Sequence, residues 1–193
     1  VIEGLHIKKG GKYIDATLGN GGHAVEILKL GGSVLGIDID PSMVEIAEKR
    51  IKDEGFDDYI LVSGNFINID ILAKKHGFNE ADGILLDLGV TNLHLTNPER
   101  GFSFANPQAL LDMRINPKAQ GVSGSVLLNV LREDQLRDLF EVVLEPGASK
   151  WITGRVLHSR ASRPIKTVGD FLEICEGLKI GKTGINEATL PFL

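Results

Sequence analysis

Three carboxylates and a run of glycines hold the residue types in this chain best suited to binding a nucleotide-like ligand. Residues 15–28 read DATLGNGGHAVEIL, an acid followed by glycines at 19, 21 and 22 and then by helical spacing of apolar residues. Glycines in such a loop reach backbone conformations closed to other residues and let a ligand approach the main chain. Gly19, Gly21 and Ala24 satisfy the dinucleotide fingerprint G-x-G-x-x-G/A, and Asp38 stands at the distance of an acid that meets ribose hydroxyls. The fingerprint alone is a weak signal, and it leaves an NAD-binding oxidoreductase as one reading. Two further acids favour another ligand. Asp15 precedes the glycines, where a pyrophosphate would meet a negative charge, and Asp87 ends the fourth apolar run. Asp15, Asp38 and Asp87 together suit a cation that carries a ribose. S-adenosylmethionine has a sulfonium, an ammonium and a ribose with two free hydroxyls.

These residues need a scaffold that gathers them. Residues 12–16, 33–40, 59–64 and 83–89 read as apolar strands, and residues 23–30, 41–54 and 67–76 as helices between them. Asp40-Pro41 is a helix start, an acidic N-cap with proline in the first turn, and Met43, Ile46, Ala47 and Ile51 are expected to face inward. Continuously apolar strands that alternate with helices predict a parallel sheet covered on both faces, hence a Rossmann-like α/β fold. In such sheets ligands bind at the carboxyl ends of the strands, where the glycine loop lies. Residues 88–124 show little periodicity. From there the pattern is helical, over 126–131, 133–143, 148–160 and 168–178, with Thr167 and Asp170 spaced as a capping box. The expected organisation is a binding domain over 1–104 and a mostly helical insertion over 105–193.

The 193 residues carry 21 Lys and Arg against 26 Asp and Glu, a net charge of −5, so any nucleic-acid footprint must be local. That footprint is expected between Pro146 and Gly169, which holds Lys150, Arg155, Arg160, Arg163 and Lys166 with Trp151 and His158 and no acid. A solvated basic helix face is the alternative. The single cysteine, Cys175, excludes an intrachain disulfide and falls on an apolar helix face, which fits a reducing, cytoplasmic setting. The histidines are scattered, so no metal site is expected. No apolar run approaches the ~20 residues of a membrane span.

The blocks D-A-T-x-G-x-G-G-H at 15–23, GIDIDP at 36–41, DGILLDLGV at 82–90, ERGFSF at 99–104 and LDMR at 111–114 make the chain resemble one family closely. It is the bacterial small-subunit ribosomal RNA cytosine-N4 methyltransferase family, MraW/RsmH. The resemblance implies a class I methyltransferase sheet with a helical insertion after the fourth strand. It also implies S-adenosylmethionine as cofactor and small-subunit ribosomal RNA, alone or in the assembled subunit, as partner. The cofactor contacts it implies are Gly21, Gly22, His23, Asp38, Phe66 beside the adenine, and Asp87, with His94 where the family has a glutamine.

The chain departs from the family at both ends. It lacks the opening segment with a histidine and a valine-leucine pair, and it reads NEATLPF at 186–192 where the family has H-P-A-T-R-T-F-Q. The expectation is a portion of a longer protein with four strands of the sheet. A truncated homologue that holds cofactor or RNA without catalysis is the alternative to an active enzyme.

Methyl transfer from a sulfonium requires the acceptor nitrogen about 3 Å from the methyl carbon and in line with the bond that breaks. A cytosine amine is a poor nucleophile, and acceptors at its N–H groups take up the developing charge. Asp87 is the expected organiser, with Thr91 and Asn92 as helpers. Asp112 and Arg114 read either as target contacts or as an ion pair fixing the loop. Phe102 and Phe104 read as a base-stacking pair or as core. The target base must be unpaired or flipped to react.

Overall fold

The computed structural model describes residues 1–180 and 183–184. The chain divides into two compact units, Val1–Thr91 and Asn92–Leu193.

The first unit is a four-stranded parallel sheet in the order β3-β2-β1-β4, built from β1 (Lys12–Asp15), β2 (Ser33–Asp38), β3 (Tyr59–Ser63) and β4 (Gly83–Leu85). Helices α1 (Gly22–Lys29), α2 (Pro41–Asp53) and α3 (Ile69–His76) connect the strands. Alternate strand residues feed two cores. Tyr13 and Val34 pack with Val25, Ile27, Ala47 and Ile51 of α1 and α2, while Ile14, Leu35 and Ile37 pack with Ala73 and Phe78 on the other side. Both faces of β1 and β2 are therefore covered, as continuous apolar runs require.

The outer strands are less covered. Ile60 of β3 is 37% exposed and Ile84 of β4 is 50% exposed. Ile46, expected inward, is 39% exposed, because α2 buries only the stripe Met43, Ala47 and Ile51 at spacings of four. Asp40 caps α2 as expected, accepting from the Ser42 N–H at 2.9 Å.

The second unit holds α4 (Asn92–Thr96), α5 (Gly124–Val130), α6 (Glu133–Glu141), α7 (Pro146–Ser162) and α8 (Val168–Cys175), followed by the antiparallel pair β5 (Lys179–Ile180) and β6 (Thr183–Gly184). Its core gathers Leu128, Leu136, Phe140, Ile152, Val156, Ile165 and Ile174. Thr167 and Asp170 form the expected capping box on α8. Cys175 is buried and free, and burial pushes its thiol up to about 12.

The division falls ahead of residue 104. Phe104 packs on the helical core, and the Met113 N–H donates to the Arg100 carbonyl. The segment NEATLPF lies outside the described residues. Among the described residues no helix is long and apolar enough to cross a membrane.

Candidate cofactor site

The sheet order puts β1 between β2 and β4, so the chain reverses its direction of growth across the sheet at β1. Crevices at such switch points are where open parallel sheets bind ligands. Asp15 ends β1, Asp38 ends β2, and Asp87 follows β4.

The loop after β1 is pinned from both sides. The Gly19 N–H donates to Asp38 Oδ2 at 2.7 Å, and the Leu18 N–H to the Ile37 carbonyl at 3.0 Å. On the β4 side the Ala16 N–H donates to the Leu85 carbonyl at 2.9 Å, and the Asp87 N–H to Thr17 Oγ1 at 2.7 Å. The loop enters α1 through Gly21, whose φ of 77° lies in the left-handed region. A Cβ added there would sit 3.0 Å from Ala47 Cβ, so both backbone and neighbour require glycine. Gly22 and His23 open α1, where free N–H groups suit polar or anionic atoms of a ligand.

Asp15 is the most unusual group at this edge. It is fully buried, and its Oδ1 accepts the Thr17 N–H at 3.3 Å. Its Oδ2 is buried with no hydrogen-bond partner among the described residues. Burial pushes its carboxyl up to about 6, opposed by the Thr17 N–H and His23 and reinforced by Asp38 and Asp87. The arrangement is anionic and under-satisfied, and a cationic ligand would relieve it.

Of the residues singled out by sequence, Asp15, Gly19, Gly21, Gly22, His23, Asp38 and Asp87 come together at this edge. Phe66 follows β3 in a short 3-10 turn and is 43% exposed. One acid does more than sequence reasoning assigned it. Asp38 binds the glycine loop through Oδ2 and the Asp40 N–H through Oδ1 at 2.9 Å, so it builds the loop it was expected only to serve. Thr17, whose hydroxyl ties β4 to the loop, was missed, although its place between Asp15 and the glycines is a usable signal.

The second unit resolves several alternatives. His94 is buried, with its ring centroid 5.8 Å from that of Phe102. Phe104 packs on the helical core. Arg114 and Asp112 form a bidentate pair, Nε to Oδ1 at 2.6 Å and Nη2 to Oδ2 at 2.8 Å, and Arg114 Nη1 donates to the carbonyls of Pro117 and Gln120. This is the loop-fixing ion pair, and it holds the Asp112 carboxyl below its ordinary range.

In the basic stretch Arg160 turns inward to the Leu128 carbonyl at 2.8 Å, and Arg163 pairs with Glu173 at 2.7 Å. Arg155 donates to the Glu173 carbonyl at 2.8 Å, and Lys150 and Lys166 are exposed. Among the described residues no group of His, Cys, Asp and Glu is placed to hold a metal ion.

Residues 1–192 match the MraW methylase family. The chain is 40% identical over 189 residues to the ribosomal RNA small subunit methyltransferase H of Methylacidiphilum infernorum (isolate V4), covering 96% of this chain and 58% of that protein. It is 38% identical over 176 residues to the protein of the same name from Clostridium botulinum (strain Loch Maree / Type A3), covering 90% and 56%. The chain thus spans a little over half the length of these relatives. A solved rRNA methylase from Streptococcus thermophilus overlaps 36% of this chain and 43% of its own at 22% identity, with a TM-score of 0.34, too partial an overlay to bear on the fold.

Proposed function

The chain belongs to the MraW methylase family, and on that premise we propose that the crevice at β1 and β4 binds S-adenosylmethionine for methylation of small-subunit ribosomal RNA at a cytidine N4. One observation carries the cofactor reading, the buried and unpartnered Oδ2 of Asp15 beside two further acids. A pyrophosphate would raise the charge conflict there, and an ammonium would remove it. The residues fit such a ligand. The buried Asp15 charge draws the cation to the loop, the N–H groups of Gly22 and His23 face the carboxylate end while that of Gly21 is bound by the Leu18 carbonyl, Asp38 has lone pairs left for ribose hydroxyls, and Phe66 offers an exposed ring to the adenine. A role for His94 rests on the family resemblance alone.

The bound cofactor supplies an electrophilic methyl group with a good leaving group already in place. The chain's own task is to hold the acceptor amine in line and to accept its N–H groups. Asp87 is the residue for this. Its carboxylate is exposed at the end of β4 while its backbone is fixed by Thr17 Oγ1, so the acceptor is both reachable and held. Ribosomal RNA as substrate implies a cytoplasmic setting. The activity proposed is that of a protein of the relatives' full length, with this chain supplying the cofactor half of the sheet and the helical unit.

Isothermal titration of the chain with S-adenosylmethionine and with NAD tests the binding reading. The expected result is micromolar binding of the first only, lost in Asp15→Asn and weakened in Phe66→Ala. Binding of NAD instead, or binding that Asp15→Asn leaves intact, would overturn it. Transfer of labelled methyl groups to small-subunit ribosomal RNA by the chain extended to the relatives' length then tests the reaction.

A further inference from the structure

Helices α7 and α8 of the second unit enclose a cleft of about 620 Å3 lined by Trp151, Arg155, His158, Ser159, Arg163 and Glu173, among others. Resting on the RNA reading above, we infer that this cleft is a subsite for one unpaired nucleotide of an RNA strand. It lies within the second unit and contains none of the residues assigned to the cofactor.

The cleft has the parts that single-stranded RNA requires. Trp151 is 37% exposed, so an indole face remains open to a base. The guanidinium of Arg155 lies 5.0 Å from the Trp151 ring centroid, which orders the ring and adds a positive charge beside it. Arg155 is itself held by the Glu173 carbonyl at 2.8 Å, so the stacked pair is fixed before any ligand arrives. His158 and the Ser159 and Ser162 hydroxyls supply hydrogen-bonding groups one to two turns further along α7.

The acid in the wall, Glu173, is paired with Arg163 at 2.7 Å, and Arg163 also approaches Asp170 at 3.4 Å. That pairing leaves Arg155 to set the charge facing a phosphate. No acid occurs between Pro146 and Gly169, so the rim of α7 adds no opposing charge. Aromatic faces beside cations recognise unstacked bases with little sequence preference, whereas a duplex hides its bases from them.

Trp151 is the only tryptophan in the chain, so its fluorescence reports on the cleft directly. The experiment titrates the chain with a dye-labelled, single-stranded RNA hexamer and reads dye anisotropy and Trp151 emission together, with inorganic phosphate and an RNA duplex as competitors. Saturable quenching of Trp151 that follows the anisotropy is expected. Trp151→Ala should weaken binding about tenfold, within the loss of one stacked base. His158→Glu, an exposed change on α7, should weaken it several-fold without altering the melting temperature.

Anisotropy that rises while Trp151 stays unquenched and both variants bind normally would overturn the cleft and leave the RNA reading intact. No rise in anisotropy would overturn both. Quenching by phosphate alone, undiminished in His158→Glu, would identify a simple anion site and also overturn the proposal.

Discussion

The Gly19 N–H donates to Asp38 Oδ2 at 2.7 Å, which joins the loop after β1 to the end of β2. Asp38 also accepts the Asp40 N–H, so one carboxylate sets both the glycine loop and the entry to α2. Asp38→Ala should therefore lower stability as well as cofactor affinity. Two charge-assisted bonds to backbone N–H groups place the loss at about 2 kcal/mol or more. Asp38→Asn, which keeps one acceptor, should recover part of it. Thermal unfolding of the three proteins, with and without S-adenosylmethionine, separates the structural loss from the binding loss. An unchanged melting temperature in Asp38→Ala would refute the tether.

The Asp15 carboxyl is displaced from 3.8 to about 6, first by burial. Between those values the native chain binds more protons than the unfolded one, so stability falls as pH rises through that window. By pH 7 the buried anion costs about 3 kcal/mol. Asp15→Asn should be more stable than the parent at pH 7 and nearly equal to it at pH 4. Urea denaturation across this range measures the difference. A cationic ligand selects the anion, so affinity should drop about tenfold per pH unit below 6 in the parent.

Arg114 and Asp112 brace the loop that precedes α5 rather than facing outward as a free pair. Arg114→Ala removes a bidentate bond and two donations to carbonyls, and it should loosen the loop and lower the melting temperature. Arg114→Lys cannot reproduce the fork and should recover little. Limited proteolysis should cut between residues 99 and 124 in both variants. A parent-like digestion pattern would return Arg114 to the list of candidate substrate contacts.

Cys175 is buried at the end of α8, with its thiol pushed up to about 12. Its thiolate is scarce at neutral pH, so reaction with a thiol reagent at pH 8 should wait on opening of the helical unit. The rate should rise with urea in step with unfolding. Prompt modification of the folded protein would show that α8 opens freely.

Gly21 meets two constraints at once, a φ of 77° and Ala47 Cβ at 3.0 Å from any added Cβ. Gly21→Ala should lose about 1–2 kcal/mol and most cofactor affinity. Pairing it with Ala47→Gly should recover the packing part alone, which calorimetry of both variants would read.

Sequence by itself determined the elements and the end of the sheet where they converge. Apolar runs separated by amphipathic helices imply a covered parallel sheet, and Asp40-Pro41 and Thr167–Asp170 mark helix starts by local chemistry alone. These signals are short-range, so they survive without tertiary knowledge. The three acids and the glycine loop were legible for the same reason, since strand ends place them together whatever the side chains then do.

Only the tertiary structure decided which polar groups are satisfied and by what. Asp38 pairs with Gly19 across 19 positions and Thr17 with Asp87 across 70, separations at which residue type carries no signal. The same limit governs Arg160, a cation that turned to the Leu128 carbonyl, and Ile46, an apolar residue left outside a stripe only one residue wide per turn. Asp15 shows the division most sharply. Its position as an acid before glycines is a matter of sequence, but its full burial and its unpartnered oxygen belong to the assembled fold, in which β1 lies between β2 and β4.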